Sequence, residues 1–569
     1  TGAVVKSVGA ITLDGAAIDS RGTLDAGSDL SLRSTGDLSV AGIAQAGRDV
    51  VLSAAGTVQN GGQVVAGRDM SVQAGRVDNT AAGALGAGGA LTVVSAGALQ
   101  NDGALQSGGE LRMTAASLDQ SGSAFAGNTL VANITGTLDN RGSLTAKNAL
   151  QLDSGGLRSS GQLGSETAGV TLHSRGDLQL QGVVAAATTL QATAVGDLQQ
   201  AGSLKAQSVA LQAGRDLGIS GTLQSASLLD LQAQRTLGMT GQASAAGNAS
   251  LRGAQVVTGQ AAVLQSGGAI TVDGAAIDSR GALDAATDLT LRSTGDLAVA
   301  GIAQADRNLT LAATGALSNA AQVVAGQALG VTANSASNAA TGVLLAQGGA
   351  TLAIGGLFDN AGAVRAGNQL SMNVGSLRQT GQAYGLQGLG LIAGGAVDNR
   401  GDLIGGNALR VEAAQLSSSG QLGSERGDVA LISRGNLQLG GTLAAAGAFS
   451  AQADGALAQS GSVSAGSNVE LRAKGDLNVA GQLGGQQITL NSDAVLRQQG
   501  VVSGSTVGLQ GARIENAGQT TASGNLTLRA GDISIGGTVG AGIAGDGSLG
   551  NGSTLSVIAD RQLTASGKL

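Results

Sequence analysis

Two apolar residues flanking one outward position recur about every 20 residues along nearly the whole chain, and that spacing restricts it to a stack of similar laps. The ruler runs Leu30/Leu32, Val50/Leu52, Met70/Val72, Leu91/Val93, Leu111/Met113, Leu150/Leu152 and Val170/Leu172. It resumes at Leu289/Leu291, Leu309/Leu311, Leu329/Val331, Leu370/Met372, Leu409/Val411, Val469/Leu471, Ile488/Leu490 and Leu526/Leu528. Alternation at i, i+2 is the half-buried strand pattern, whereas a helix would place apolar residues three and four apart. In the first rung Leu30 and Leu32 point one way, Ser31 and Arg33 the other. After a glycine-containing turn the alternation resumes at Leu38 and Val40, and a third piece follows around Ile43 before Gly47 opens the next rung.

The expected fold is therefore all-β: a single parallel β-helix with about 20 residues and three short strands per coil. A lap of that length has a perimeter of about 65 Å, which suits a tube filled by one layer of side chains. At about 4.8 Å per lap, roughly 28 laps predict a rod on the order of 130 Å long. Glycine supplies 98 of 569 residues, read here as the residue that tolerates the positive φ of tight corners. Proline is absent, as a fold that commits nearly every backbone N–H to a ladder requires. Successive rungs also align Asn60, Asn79, Asn101, Gln120, Asn140 and Ser159. Stacked amides can hydrogen-bond along the axis, although the preference of Asn for turns gives the same residues a purely local reason.

Above the short period lies a long one of about 259 residues, so the chain divides into blocks 1–259 and 260–518, with continuing coils over 519–569. DGAAIDSRG at 14–22 recurs at 273–281, LRSTGDL at 32–38 recurs at 291–297, and GQLGSE at 161–166 recurs at 420–425. The glycine-rich run 536–552 is too long for one lap and is expected to loop out. The chain starts in mid-block, with no signal peptide and no atypical capping segment at that end, and reads as a piece of something longer.

Little in the chain has the chemistry of an enzyme. His173 is the only histidine, and 259 positions on stands Ile432, an unsuitable substitute for a catalyst. With one histidine and no cysteine, zinc sites, His-based triads and disulfides are excluded, and no cofactor is expected. Asp29, Asp49 and Asp69 open consecutive laps at one phase, so their carboxylates could stack about 5 Å apart. Arg48 and Arg68 beside them would offset the repulsion. Calcium would need six to eight oxygens, so turn-capping is the reading adopted, with no metal residue. A polysaccharide-cleaving β-helix is a distant alternative, because no carboxylate cluster and no tryptophan stand out.

Arg-Gly-Asp occurs at Arg175-Gly176-Asp177, Arg400-Gly401-Asp402 and Arg426-Gly427-Asp428. Displayed on an exposed turn, such tripeptides can engage integrins. The rung grammar also manufactures them, since Gly-Asp-Leu follows Thr35, Val195, Thr294 and Lys474 as well. Residues 308–358 carry no charge and would form a neutral band suited to lateral contact, or an ordinary solvated wall. A net charge of −7, thinly spread, argues against nucleic acid as a partner. No window is apolar for long enough to span a bilayer.

Rungs such as AGRDVVLSAAGTVQNGGQVV (46–65), AGRDMSVQAGRVDN (66–79) and GNTLVANITGTLDNRGSLTA (127–146) closely resemble the repeat region of the filamentous-haemagglutinin family, Bordetella-type adhesins exported by two-partner secretion. Similar rungs form the shafts of contact-dependent growth-inhibition toxins. The resemblance implies a right-handed helix, threading through a dedicated outer-membrane transporter, and display on the bacterial surface, with host-cell receptors or glycans as further possible partners. The family's secretion domain needs Asn-Pro motifs, which this chain does not contain. Freedom from disulfides fits passage through a pore, and coil-by-coil folding outside could ratchet export. The expected function is a non-enzymatic shaft of a secreted adhesin; the alternatives are a direct adhesive module, through a tripeptide or the neutral band, and the shaft of a contact-dependent growth-inhibition toxin.

Overall fold

The structure, a computed structural model, describes residues 2–543, 548, 550 and 552–569. Among these residues there is no helix, and every strand pairing is parallel. The chain resolves into two compact units, Thr1–Ala286 and Thr287–Leu569. Each is a β-solenoid.

One coil illustrates both. Its first strand is Leu30–Ser34, its second Leu38–Val40 and its third Ile43–Ala46. Leu30 lies opposite Val50 and Val50 opposite Met70; Leu38 lies opposite Val58; Ile43 lies opposite Gln63. The three expected strands are thus present, each stacked on its equivalent about 20 residues away. In several coils the first two strands run together, as in Val50–Asn60 and Leu130–Asn140, with the register shifting at the corner.

The period-2 pattern sends one side chain in two into the tube. Leu30, Leu32, Leu38, Val40 and Ala44 are at most 1% exposed. Burial of a Val or Leu contributes roughly 1.5–3 kcal/mol relative to exposure, so each coil needs its neighbours to cover its ends. Where the first strand meets its corner the inward residue is Ser or Ala in most coils, with Ile134, Ile354 and Val374 as exceptions, and serine there has a recurring task. Ser34, Ser95, Ser174 and Ser433 each donate an Oγ hydrogen bond of 2.8 Å to the carbonyl three residues on, closing the turn.

The corners correct one expectation. Positive φ is confined, among the described residues, to Gly388, Gly542 and Gly552, so corner glycines are not there for left-handed backbone. They are there for proximity: a Cβ on Gly62 would collide with the carbonyl oxygen of Gly42 in the coil before, and one on Gly42 with that of Gly22. Coils stacked at strand spacing bring corner backbones too close for any side chain.

The expected amide ladder forms, with one interruption. Asn60 Nδ2 donates to Asn79 Oδ1 and Asn79 Nδ2 to Asn101 Oδ1, both at 2.7 Å, and Asn101 donates to Gln120 at 3.0 Å. Gln120, one methylene longer, donates instead to the Ser143 carbonyl, and the column restarts with Asn140 donating to Ser159. The second unit repeats the series 259 residues on: Asn319 to Asn338, Asn360 and Gln379, a turn aside to the Asp402 carbonyl, then Asn399 to Ser418. All these residues are buried.

In the glycine-rich run, Thr538–Ala541 is a regular third strand. Beyond it Leu526 pairs with Leu555, 29 positions on, where Val507 pairs with Leu526 only 19 on. About half a lap is thus inserted before Leu555–Ala565. Of the run 536–552 expected to loop out, residues 544–547, 549 and 551 lie outside the described residues.

Candidate functional site

Corner aspartates join one coil to the next. Asp37 Oδ1 accepts the Thr57 amide at 2.7 Å, Asp69 Oδ1 the Ala90 amide at 2.7 Å, and Asp49 Oδ1 the Asp69 amide at 3.2 Å. The other oxygen of Asp49 takes a 2.7 Å bond from Arg68 Nη2, and Asp29 is held in the same way by Arg48. These guanidinium contacts hold the carboxyls of Asp29 and Asp49 below the usual range. At Asp216 the Arg235 guanidinium does so most strongly, lowering the value to about 2. The stacked aspartates are thus occupied as caps and ion pairs, each arginine reaching back to the preceding coil. Among the described residues no three acids or histidines converge as metal ligands would.

His173 sits outward on the strand Val170–Ser174, its Nδ1 3.3 Å from Asp153 Oδ1, which also accepts from Arg175 Nη2 at 2.8 Å. The register partner of His173 in the next coil is Thr193.

The three Arg-Gly-Asp tripeptides fall on three different corners. Arg175-Gly176-Asp177 lies between first and second strands, Arg400-Gly401 between second and third with Asp402 opening the third, and Arg426-Gly427 between third strand and next coil, whose first strand Asp428 opens. In each, a Cβ on the glycine would strike the preceding coil's backbone. Asp177 Oδ1 accepts the Asp197 amide and Arg215 Nη2, both at 2.9 Å, and Asp428 Oδ1 accepts the Ala448 amide at 2.7 Å. Arg400 pairs with Asp398 at 2.8 Å. All three arginines are exposed, so these are corner elements that also reach the surface.

The uncharged stretch 308–358 presents Thr310, Thr332, Asn334, Ser337, Thr351 and similar small side chains outward, with Leu357 its one exposed large apolar residue. Threonines and amides make this wall polar. It spans under three laps.

One surface escaped the sequence reading. On the third strands of the second unit, Leu345, Arg365, Tyr384, Ile404 and Gly423 occupy one outward column in successive coils. The first four border a groove of about 570 Å³, which Gln382, Leu386 and Asp402 also line. Tyr384 Oη donates to Glu425 Oε2 at 3.1 Å, two coils away, so its ring lies along the stacking direction across Ile404. Burial, then the Glu425 carboxylate, push the phenol above its usual range. Arg365 Nη2 donates to Gln382 Oε1 at 2.7 Å. The available signal was rarity: Tyr384 is the only tyrosine of the chain, at an outward position of the alternation.

A family model described as Haemagglutinin repeat matches residues 2–62, 45–103, 106–182, 236–301, 294–362, 365–441 and 444–569. The coils continue unbroken through 183–235, which that model does not cover, as in Thr189–Ala194, Leu198–Gln200 and Ser203–Ala206. No curated protein and no solved structure matches the chain.

Proposed function

The chain belongs to the haemagglutinin-repeat family, and from that premise we propose that it is a non-enzymatic shaft of a secreted adhesin, holding binding segments away from a bacterial surface. The observation that carries this reading is the use made of its polar chemistry. Asp29, Asp49, Asp177, Asp428, Asn79 and Asn338 are all engaged between coils, and each lap supports the next. Such proteins are typically secreted or displayed on the surface through an outer-membrane transporter. Both properties are part of the proposal for this chain, together with a contribution to host-cell attachment.

Electron microscopy of the purified chain tests the shaft. Each unit, about 14 coils at the strand spacing, is expected as a thin rod on the order of 65 Å long, and a compact particle overturns it.

A direct adhesive role through the tripeptides is a second reading, favoured by the exposure of Arg175, Arg400 and Arg426 at corners. Replacing all three arginines by alanine should then lower attachment of integrin-bearing cells; undiminished attachment removes it.

A further inference from the structure

Beyond the shaft role, we infer that the third-strand face of the first unit pairs with the same face of a second copy of this chain, the two copies running in opposite directions. Over seven successive third strands, from Ile43–Ala46 to Gln162–Ser165, that face carries no charge. The first and second strands of the same coils turn Arg76, Asp78, Arg112, Asp119 and Asp139 outward. Two copies, each of net charge −7, therefore meet on this face without setting like charges against each other.

The middle column of the face runs Gln45, Val65, Gly86, Gln106, Phe125, Thr145 and Gly164 in register. A groove of about 450 Å³ surrounds Gly86, lined by the small residues Ala84 and Ala104 and bordered by Val65 and Gln106. Phe125 stands in the same column, one coil beyond Gln106. A two-fold axis along the strand direction at the Gln106 coil sets Phe125 of each copy over Gly86 of the other, Gln45 over Gly164, and Val65 over Thr145. Gln106 meets itself, and every other contact occurs twice, as an isologous interface requires. An axis along the stack would instead oppose Phe125 to Phe125 and leave the groove unfilled.

Coil stacking does not dictate the glycine that keeps the groove open. A Cβ on Gly86 would meet only the Val64 carbonyl oxygen, at 4.0 Å, whereas one on the corner glycine Gly62 would collide with the coil before. The second unit lacks the fit. There, 259 residues on, Leu345 stands for Gly86, and Arg365 for Gln106 would bring two guanidinium groups together on the axis. Seven coils of four-residue strands give a footprint on the order of 440 Å² per copy. That is the low end for protein interfaces, so the pairing is weak and reversible.

Sedimentation equilibrium of the full chain should show a reversible monomer–dimer equilibrium. Phe125→Ala should weaken it about tenfold, the size of one buried side chain lost, and Gly86→Leu by at least as much. Both positions point outward, so far-UV circular dichroism should be unchanged. Because the chain has no cysteine, a short bismaleimide on single-cysteine variants reads the register. Gln106→Cys should cross-link to itself. Thr145→Cys, about 19 Å from its own mate across the axis, should not, but mixed with Val65→Cys it should give the mixed dimer. A chain that stays monomeric at every concentration, with or without a saccharide or an apolar peptide in the groove, overturns the pairing. So does a dimer indifferent to both Phe125→Ala and Gly86→Leu, or one in which Thr145→Cys cross-links to itself.

Discussion

Asn79 serves three coils with one side chain: its oxygen accepts from Asn60, and its amide nitrogen donates to Asn101 and to the Ala104 carbonyl. Asn79→Leu leaves Asn60 with a buried, unpaired donor and Asn101 with an unpaired acceptor. The expected loss is about 1–3 kcal/mol per orphaned group, read from the denaturant midpoint. Asn133→Ala, on an exposed outward position, should change stability by less than about 0.5 kcal/mol. The ladder was legible because spacing alone aligns Asn60, Asn79 and Asn101. The break after Gln120 was not, since it depends on where a side chain one methylene longer can reach. The corner glycines were identified by position but for a different cause. A clash between Gly62 and Gly42 exists only once the coils are stacked.

At the scale of the strand and its corner, the aspartate caps make stability depend on pH. The carboxyls of Asp29, Asp49, Asp216, Asp476 and Asp532 are lowered in the folded chain, chiefly by hydrogen bonds from arginine. Groups of this sign stabilise fully above their unfolded value, about 3.9, and lose that contribution as pH falls through the folded value. The thermal midpoint should hold steady above about pH 5 and fall from there toward pH 2, where Asp216 titrates. A flat profile over that window would show the caps to be inert. Register gives a sharper test. Because Leu30, Val50 and Met70 share a column, deleting residues 50–69 brings equivalent strands together. That deletion should keep the far-UV spectrum and a cooperative melt, whereas deleting residues 50–59 alone should abolish both. This level was largely readable in advance, since Leu30/Leu32 and Val50/Leu52 state both period and face. The merging of strands at Val50–Asn60 was not, because a corner's continuity rests on backbone geometry that no side-chain pattern records.

For the whole molecule the governing fact is that paired residues stand close in sequence, from Val507 and Leu526 to Met70 and Leu91. Nearest-neighbour coupling follows, so damage should stay local. Gly142→Val, which drives a side chain into the Gly122 carbonyl, should raise amide exchange in the adjoining coils and leave protection at Leu443 unchanged. Uniform loss along the chain would contradict this. The long repeat was legible from DGAAIDSRG and GQLGSE, and its physical meaning is the same ladder built twice, from Asn60 and from Asn319. The Tyr384 groove was not legible. It needs Leu345, Leu386, Asp402 and Ile404 brought together from three coils, none carrying a motif of its own.

Columns that close on any whole number of laps also govern inheritance. Where chromosomes misalign by one repeat during recombination, the progeny chain gains or loses a lap whose neighbours already fit, as Val50 and Met70 both fit Leu30. Length in such a lineage can drift by single steps without passing through an unfoldable intermediate.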